Sequence, residues 1–160
     1  MRGSMRWLAL SLLAMGLVAC GKPKKPIFPP IVSIQELHLA ANGHWDITLR
    51  IQNNSYVGMK FTALDMALTV QQKPAGQLKQ ALNLSIPEFA ADVTHIDLAP
   101  QSAAGQALAK LANKGSSVSA TYQLKGQVTA IAEKAKKPRT FDVSGKNWLS
   151  PVPGIDNTFR

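Results

Sequence analysis

Nine carboxylates, three histidines and one cysteine are the groups in this 160-residue chain best suited to acid–base, metal or nucleophilic chemistry. Their spacing assembles little of it. His38, His44 and His95 lie far apart, outside spacings such as HExxH that bring two imidazoles to one face of a helix. His95 and Asp97 stand at i and i+2 on one face of an expected strand, which suits a pair of metal ligands. No third ligand accompanies them, and Ile96 and Leu98 opposite fit a strand with a polar outer side. Glu88, Asp92 and Asp97 are near one another in sequence, but paired acids need a cleft to drive their pKa values apart, and solvated acids are the plainer reading. There is no GxSxG, no SxxK and no glycine-rich phosphate loop. The one concentrated feature is Lys134, Lys136, Lys137 and Arg139. Such a cluster can contact the phosphates of lipopolysaccharide or phospholipid, or an acidic partner, and its plainer reading is a solvated hairpin tip. No catalytic, cofactor or metal site is expected, and the chain reads as non-enzymatic.

The cysteine has a different kind of chemistry. Trp7 to Ala19 is thirteen residues without a charge, preceded by Arg2 and Arg6. That is the layout of an export signal, and it falls short of the roughly 20 apolar residues that span a bilayer as a helix. The run closes on Leu17-Val18-Ala19-Cys20, which resembles the lipobox of bacterial lipoproteins. The resemblance implies that residues 1–19 are removed, that the Cys20 thiol is diacylated and that its new amino group is acylated as well. Two or more acyl chains anchor a protein stably where one does so marginally. In that family an Asp after the cysteine favours the inner membrane. Gly21 stands there instead, which implies a lipid-anchored protein of the outer membrane facing the periplasm.

With Cys20 acylated, the 141-residue mature chain has no thiol for a disulfide, a nucleophile or a metal. Its length suits one domain with its own core. The net charge of +9 comes from 18 basic against 9 acidic residues. Arg2 and Arg6 leave with the signal, Lys22, Lys24 and Lys25 belong to the segment after the cysteine, and four more cations form the 134–139 cluster. Nine cations then face nine anions. The domain body is neutral, which argues against a general nucleic-acid-binding surface.

Residues 21–30, GKPKKPIFPP, hold four prolines and suit neither a helix interior nor a paired strand, so residues 20–30 are expected to form the lipidated tether. In polyproline II geometry it would span roughly 30 Å. From residue 31 the period becomes two. Trp45, Ile47, Leu49 and Ile51 alternate with polar residues, as do Val118, Ala120, Tyr122, Leu124 and Val128, and each set lies on one face of a strand. Weaker alternation marks 31–39, Leu64 to Val70, Leu82 to Ile86, 92–98, and Phe141 with Val143. Asn42-Gly43 predicts a hairpin between 31–39 and 45–52. Residues 101–114 are rich in helix formers between Pro100 and Gly115, with Ala104, Leu108, Leu111 and Ala112 on one stripe. About seven short strands and one short α-helix predict a mainly β fold over 31–150, an antiparallel β-sandwich of Ig-like or fibronectin-III-like proportions. The apolar, proline-bearing tail from Trp148, and 151–160 above all, is expected to pack as a strap, with a docking peptide as the other option.

Several of these features, in this order, resemble the group-2 late embryogenesis abundant (LEA) family and its water-stress and hypersensitive-response (WHy) domain, which also occurs in bacterial lipoproteins. Pro30, Ile31, Val32, Ile34 and Leu37 match its opening strand. Ile47, Leu49 and Ile51 followed by Asn53, Asn54 and Ser55 match a strand ending in an Asn-Pro-Asn-like turn, with Asn54 where the family usually has Pro. Tyr122, Leu124 and Gly126, then Phe141, Val143 and Gly145, match two late strands. The resemblance implies a seven-stranded sandwich with one helix, no catalytic site to carry over, and a role in desiccation or stress tolerance by binding or protecting macromolecules. The alternative is a structural adaptor that tethers secretion or envelope machinery to the outer membrane. Expected partners are the membrane, through Cys20, and a protein client or envelope component; nucleic acid is not among them.

Overall fold

The computed structural model describes residues 25–112, 114–115 and 117–160. Cys20, the export signal and the first half of the expected tether lie outside the described residues. The elements are β1 (Ile31–Leu39), β2 (Trp45–Gln52), β3 (Met59–Val70), β4 (Lys73–Ile86), β5 (Ala91–Leu98), α1 (Ser102–Ala112), β6 (Ala120–Ala132), β7 (Arg139–Leu149) and β8 (Thr158–Phe159). They form two four-stranded antiparallel sheets, ordered β5-β2-β1-β8 and β4-β3-β6-β7. The fold is the expected sandwich, with eight strands where about seven were expected.

Alternation decides which side chains meet between the sheets. Trp45, Ile47, Leu49 and Ile51 are all buried, as are Ala120, Tyr122, Leu124 and Val128. The β1–β2 hairpin turns at Asn42-Gly43, where Gly43 has φ +86°, a conformation that costs glycine no steric penalty. In β3 the inward parity changes within the strand. Met59 and Phe61 point inward at odd positions, and Leu64, Met66, Leu68 and Val70 at even ones. A register slip between Phe61 and Ala63, on both sides of the strand, makes the switch. Opposite Met66, a side chain on Gly126 would overlap the backbone of Asp65 and Met66, so the close β3–β6 approach requires a residue without Cβ.

The helix spans residues 102–112 of the expected 101–114 and turns Ala104 and Leu108 into the core. It packs against β4 and β3 across one end of the sandwich, held at its start by Gln101 N–H donating to the Ala75 carbonyl at 2.8 Å. Among the described residues no helix is long and apolar enough to cross a membrane.

Trp148 and Leu149 belong to β7, paired with Thr121 and Ala120, and Trp148 faces outward, 62% exposed. Residues 150–160 fold back as a strap. Ser150 and Arg160 exchange backbone hydrogen bonds of 2.7 and 3.0 Å, β8 pairs with Leu37 and His38 of β1, and Phe159 is fully buried. An ion pair between Arg160 and Glu36 at 2.6 Å closes the end.

A polar contact crosses the core between β6 and β1. The Tyr122 hydroxyl of β6 accepts a 3.0 Å hydrogen bond from the Ile34 N–H of β1, where the β1–β2 register slips between Ile34 and Glu36. Burial pushes the phenol above its ordinary value, and the Ile34 bond partly opposes that shift. Removing the hydroxyl in Tyr122→Phe should orphan a buried N–H and cost about 1–3 kcal/mol. The neutral phenol is the form the fold holds. Its contribution is therefore intact below the unfolded value of about 10 and is lost as pH rises through the higher folded value. Urea unfolding from about pH 9 upward should show the wild type losing stability more steeply than Tyr122→Phe.

Candidate functional site

The cationic cluster is placed by strand pairing. Ile31 is opposite Gln52, Gln52 opposite Ala91, Met59 opposite both Ile86 and Ala132, and Ala130 opposite Arg139. One end of the sandwich therefore gathers the entering chain at 25–30, the β2–β3 connection at 53–58, the β4–β5 connection at 87–90 and the β6–β7 hairpin at 133–138. The helix, the Asn42-Gly43 turn and the C-terminal strap occupy the opposite end.

Asn53 organises the first of these ends. Its side chain is fully buried. Its amide donates to the carbonyls of Val57, Ile86 and Pro87 at 2.8, 3.1 and 2.9 Å, and its Oδ1 accepts from Ser55 N–H at 2.9 Å. The Asn53 backbone N–H reaches the Ala90 carbonyl at 2.9 Å. Ser55, also buried, continues the network to the entering chain. Its Oγ accepts from Phe28 N–H at 2.9 Å and donates to the Phe28 carbonyl at 3.1 Å, and Tyr56 N–H donates to the Pro26 carbonyl at 3.1 Å. Pro30 is buried and Ile27 packs on the core. Residues 25–30, expected as part of a free-standing spacer, instead lie on the domain, because two consecutive backbone contacts and an apolar side chain hold them there.

The loops so fixed present three exposed rings. Phe28, Tyr56 and Phe89 are 45, 48 and 57% exposed. Tyr56 contacts Phe89 edge to face at 4.7 Å between centroids and lies 6.4 Å from Phe28. Phe89 has φ +56°, an uncommon conformation for a bulky residue. The sequence reading missed this cluster. Its signal was two phenylalanines in loop contexts, Phe28 before Pro29-Pro30 and Phe89 after Pro87-Glu88, with no alternation to hide them.

Lys134, Lys136, Lys137 and Arg139 are all exposed; the three lysines sit at the expected hairpin tip, and Arg139 is the first residue of β7, opposite Ala130. None is ion-paired among the described residues. The Arg139 guanidinium lies 4.8 Å from the Phe141 ring centroid. Glu133 N–H donates to the Gly58 carbonyl at 2.8 Å, docking the hairpin on the β2–β3 connection. Between them an open groove of about 510 Å³ has Ile86, Pro87 and Ile131 in its wall and Lys60, Glu133 and Lys134 among its charged residues.

The other candidates are dispersed. His44 Nδ1 meets Asp97 Oδ2 at 2.7 Å, His95 Nδ1 meets Thr48 Oγ1 at 3.1 Å, and His38 Nδ1 meets Thr158 Oγ1 at 3.0 Å. His95 and Asp97 thus take different partners, and no group of three metal-ligating residues occurs among the described residues. Glu88 pairs with Lys25 at 3.3 Å, and Asp92 accepts from Val93 N–H at 2.8 Å. The three acids close in sequence do not share a site. Replacing Asn53 by Ala should leave several buried carbonyls unpartnered and cost about 3 kcal/mol in urea unfolding. Asn53→Asp should not rescue it at neutral pH, since a carboxylate has no donor for those carbonyls.

No family model matches the chain, and no curated protein matches it. Three solved structures are similar in outline. A protein of Arabidopsis thaliana solved in solution aligns with a TM-score of 0.46 and 12% identity, over 84% of this chain and 85% of that one. An X-ray structure of a Northeast Structural Genomics Consortium target gives 0.45 and 11%, over 79% and 88%. A crystal structure of a protein from Archaeoglobus fulgidus gives 0.43 and 6%, over 79% and 98%.

Proposed function

We propose that the protein is a non-enzymatic lipoprotein of the outer membrane, anchored through Cys20, whose LEA/WHy-like domain binds or protects other macromolecules in the periplasm under drying or related stress. The observation that carries this reading is Cys20 itself, closing an uncharged run of export length in the sequence Leu17-Val18-Ala19-Cys20. The sandwich fold supports it, and so does the separate engagement of the histidines and acids. With Cys20 acylated, the rest of the chain reaches its partners by surface contact, since the mature protein has no thiol left.

The adaptor reading has one specific observation in its favour. β7, an eleven-residue strand, pairs with β6 on one side and forms the outer edge of its sheet. Gly145 approaches the Val32 carbonyl of β1, and the remainder of that unpaired edge can accept a partner strand. The C-terminal strap is tied to β1 through Thr158 and Phe159, which favours the β7 edge over the strap as the docking element.

Mass spectrometry of the mature N-terminus should show Cys20 as the first residue carrying acyl chains; an unmodified cysteine or cleavage elsewhere would overturn the anchor. In drying assays of a client enzyme, the protein should preserve more activity than an unrelated protein at equal mass. Equal loss would sink the protective role. Crosslinking in intact cells that recovers one stoichiometric partner would favour the adaptor.

A further inference from the structure

We infer that the end of the sandwich carrying Phe28, Tyr56, Phe89 and the 134–139 cations is a membrane-seating surface, and that the domain rests this end on a phospholipid bilayer bearing anionic headgroups. Three observations on different parts of the chain converge on it.

The first is reach, and it rests on the anchor reading given above. The described residues begin at Lys25, and the chain is held at this end through Pro26 and Phe28. Only residues 21–24 separate Lys25 from Cys20. Five Cα steps at no more than about 3.6 Å each span at most roughly 18 Å. The opposite end lies a strand's length farther off, about 40 Å for the twelve residues of β3. A chain anchored at Cys20 therefore keeps this end within reach of the lipid, whatever the tilt of the domain.

The second is the aromatic cluster. Three rings about half exposed on adjoining segments form an apolar prominence that water does not favour. Tyr56, with its hydroxyl, stands between two phenylalanines. Rings of this kind settle at the boundary between headgroups and acyl chains, where an apolar body and a polar tip are both solvated. The Asn53 and Ser55 bonds hold the loops that carry them, so presenting the rings requires little further ordering.

The third is charge. Lys25, Lys60, Lys134, Lys136, Lys137 and Arg139 lie at this end, while the rest of the domain is close to neutral. Three acids share the end: Glu88, tied to Lys25; Asp92, turned to its neighbour's N–H; and Glu133, whose carboxylate lies over Gly58. The three hairpin-tip lysines and Arg139 beside them keep their charge available to a surface. An anionic surface attracts such clusters over about a Debye length. A bilayer takes up the rings at its interface and the cations at its headgroups together.

The test uses the purified full chain incorporated into vesicles of phosphatidylcholine alone or of phosphatidylcholine with phosphatidylglycerol. Surface lysines are labelled with an amine reagent and read by mass spectrometry. Labelling of Lys134, Lys136 and Lys137 should fall about threefold or more on the anionic vesicles and recover in high salt, as expected for screened charge. Lys73 and Lys110, at the opposite end, should not change. The variant Phe28→Ser, Tyr56→Ser, Phe89→Ser should lose most of the protection. Equal labelling on both vesicles, or full protection in the aromatic variant, overturns the proposal. So does protection in isolated envelopes that survives removal of phospholipid, which would assign an acidic protein instead. The N-terminal mass from the same sample reads the anchor separately. Acylated Cys20 with unprotected lysines rejects the seating surface and leaves the anchor, and protected lysines on an unacylated chain do the reverse.

Discussion

A single buried amide ties the two sheets and the entering chain into one body. Asn53 follows β2. Its side chain reaches the residues leading into β3 and out of β4, while its backbone reaches the residue before β5. Two donor hydrogens serve three carbonyls, so the geometry allows little slack. In a low-dielectric interior such a network is strong when complete and costly when incomplete. Through Ser55 the same network fixes residues 26–28. The conformation of a whole end of the molecule is thus set by polar contacts, in a protein whose cohesion elsewhere comes from apolar packing between sheets.

That division explains what could be read from the sequence. β2 was legible because a half-buried strand must alternate, and Trp45 to Ile51 do so without interruption. The Asn42-Gly43 turn was legible because the conformation it needs selects those residues. The inward positions of Met59 and Phe61 were not, since the slip at Phe61–Ala63 reverses parity inside the strand. In β4 the alternation holds from Leu78 to Ile86 and breaks only at Ala75, where the register with β3 shifts between Leu68 and Thr69. β8 is two residues long and has no period to detect. Lys134, Lys136, Lys137 and Arg139 were legible as a cluster at a hairpin. Their sharing an end with Phe28, Tyr56 and Phe89 was not, because that depends on which strands pair across long separations.

The two ends of the sandwich are closed by different means. At one, α1 and the strap lay apolar side chains, Leu108 and Phe159 among them, over the gap between the sheets. At the other the gap is closed by short connections, and their apolar residues Phe28, Tyr56 and Phe89 point out rather than in. Apolar residues that stay on the surface are carried here by loops whose backbone is hydrogen-bonded through Asn53 and Ser55.

The strap has a consequence for the order of assembly. β1, the first strand of the domain, has as one neighbour β8, the last, and Arg160 meets Glu36 across 124 positions of sequence. Loop closure over such a separation is slow to reward the chain. The sheet cannot be completed before β8 is made: until Thr158 and Phe159 are in place, β1 is unpaired on that side at Leu37 and His38 and the cavity for Phe159 is empty. The native topology is closed like a clasp, by joining the two extremities of the domain, and a chain halted a few residues short is kept open at the strand that began it.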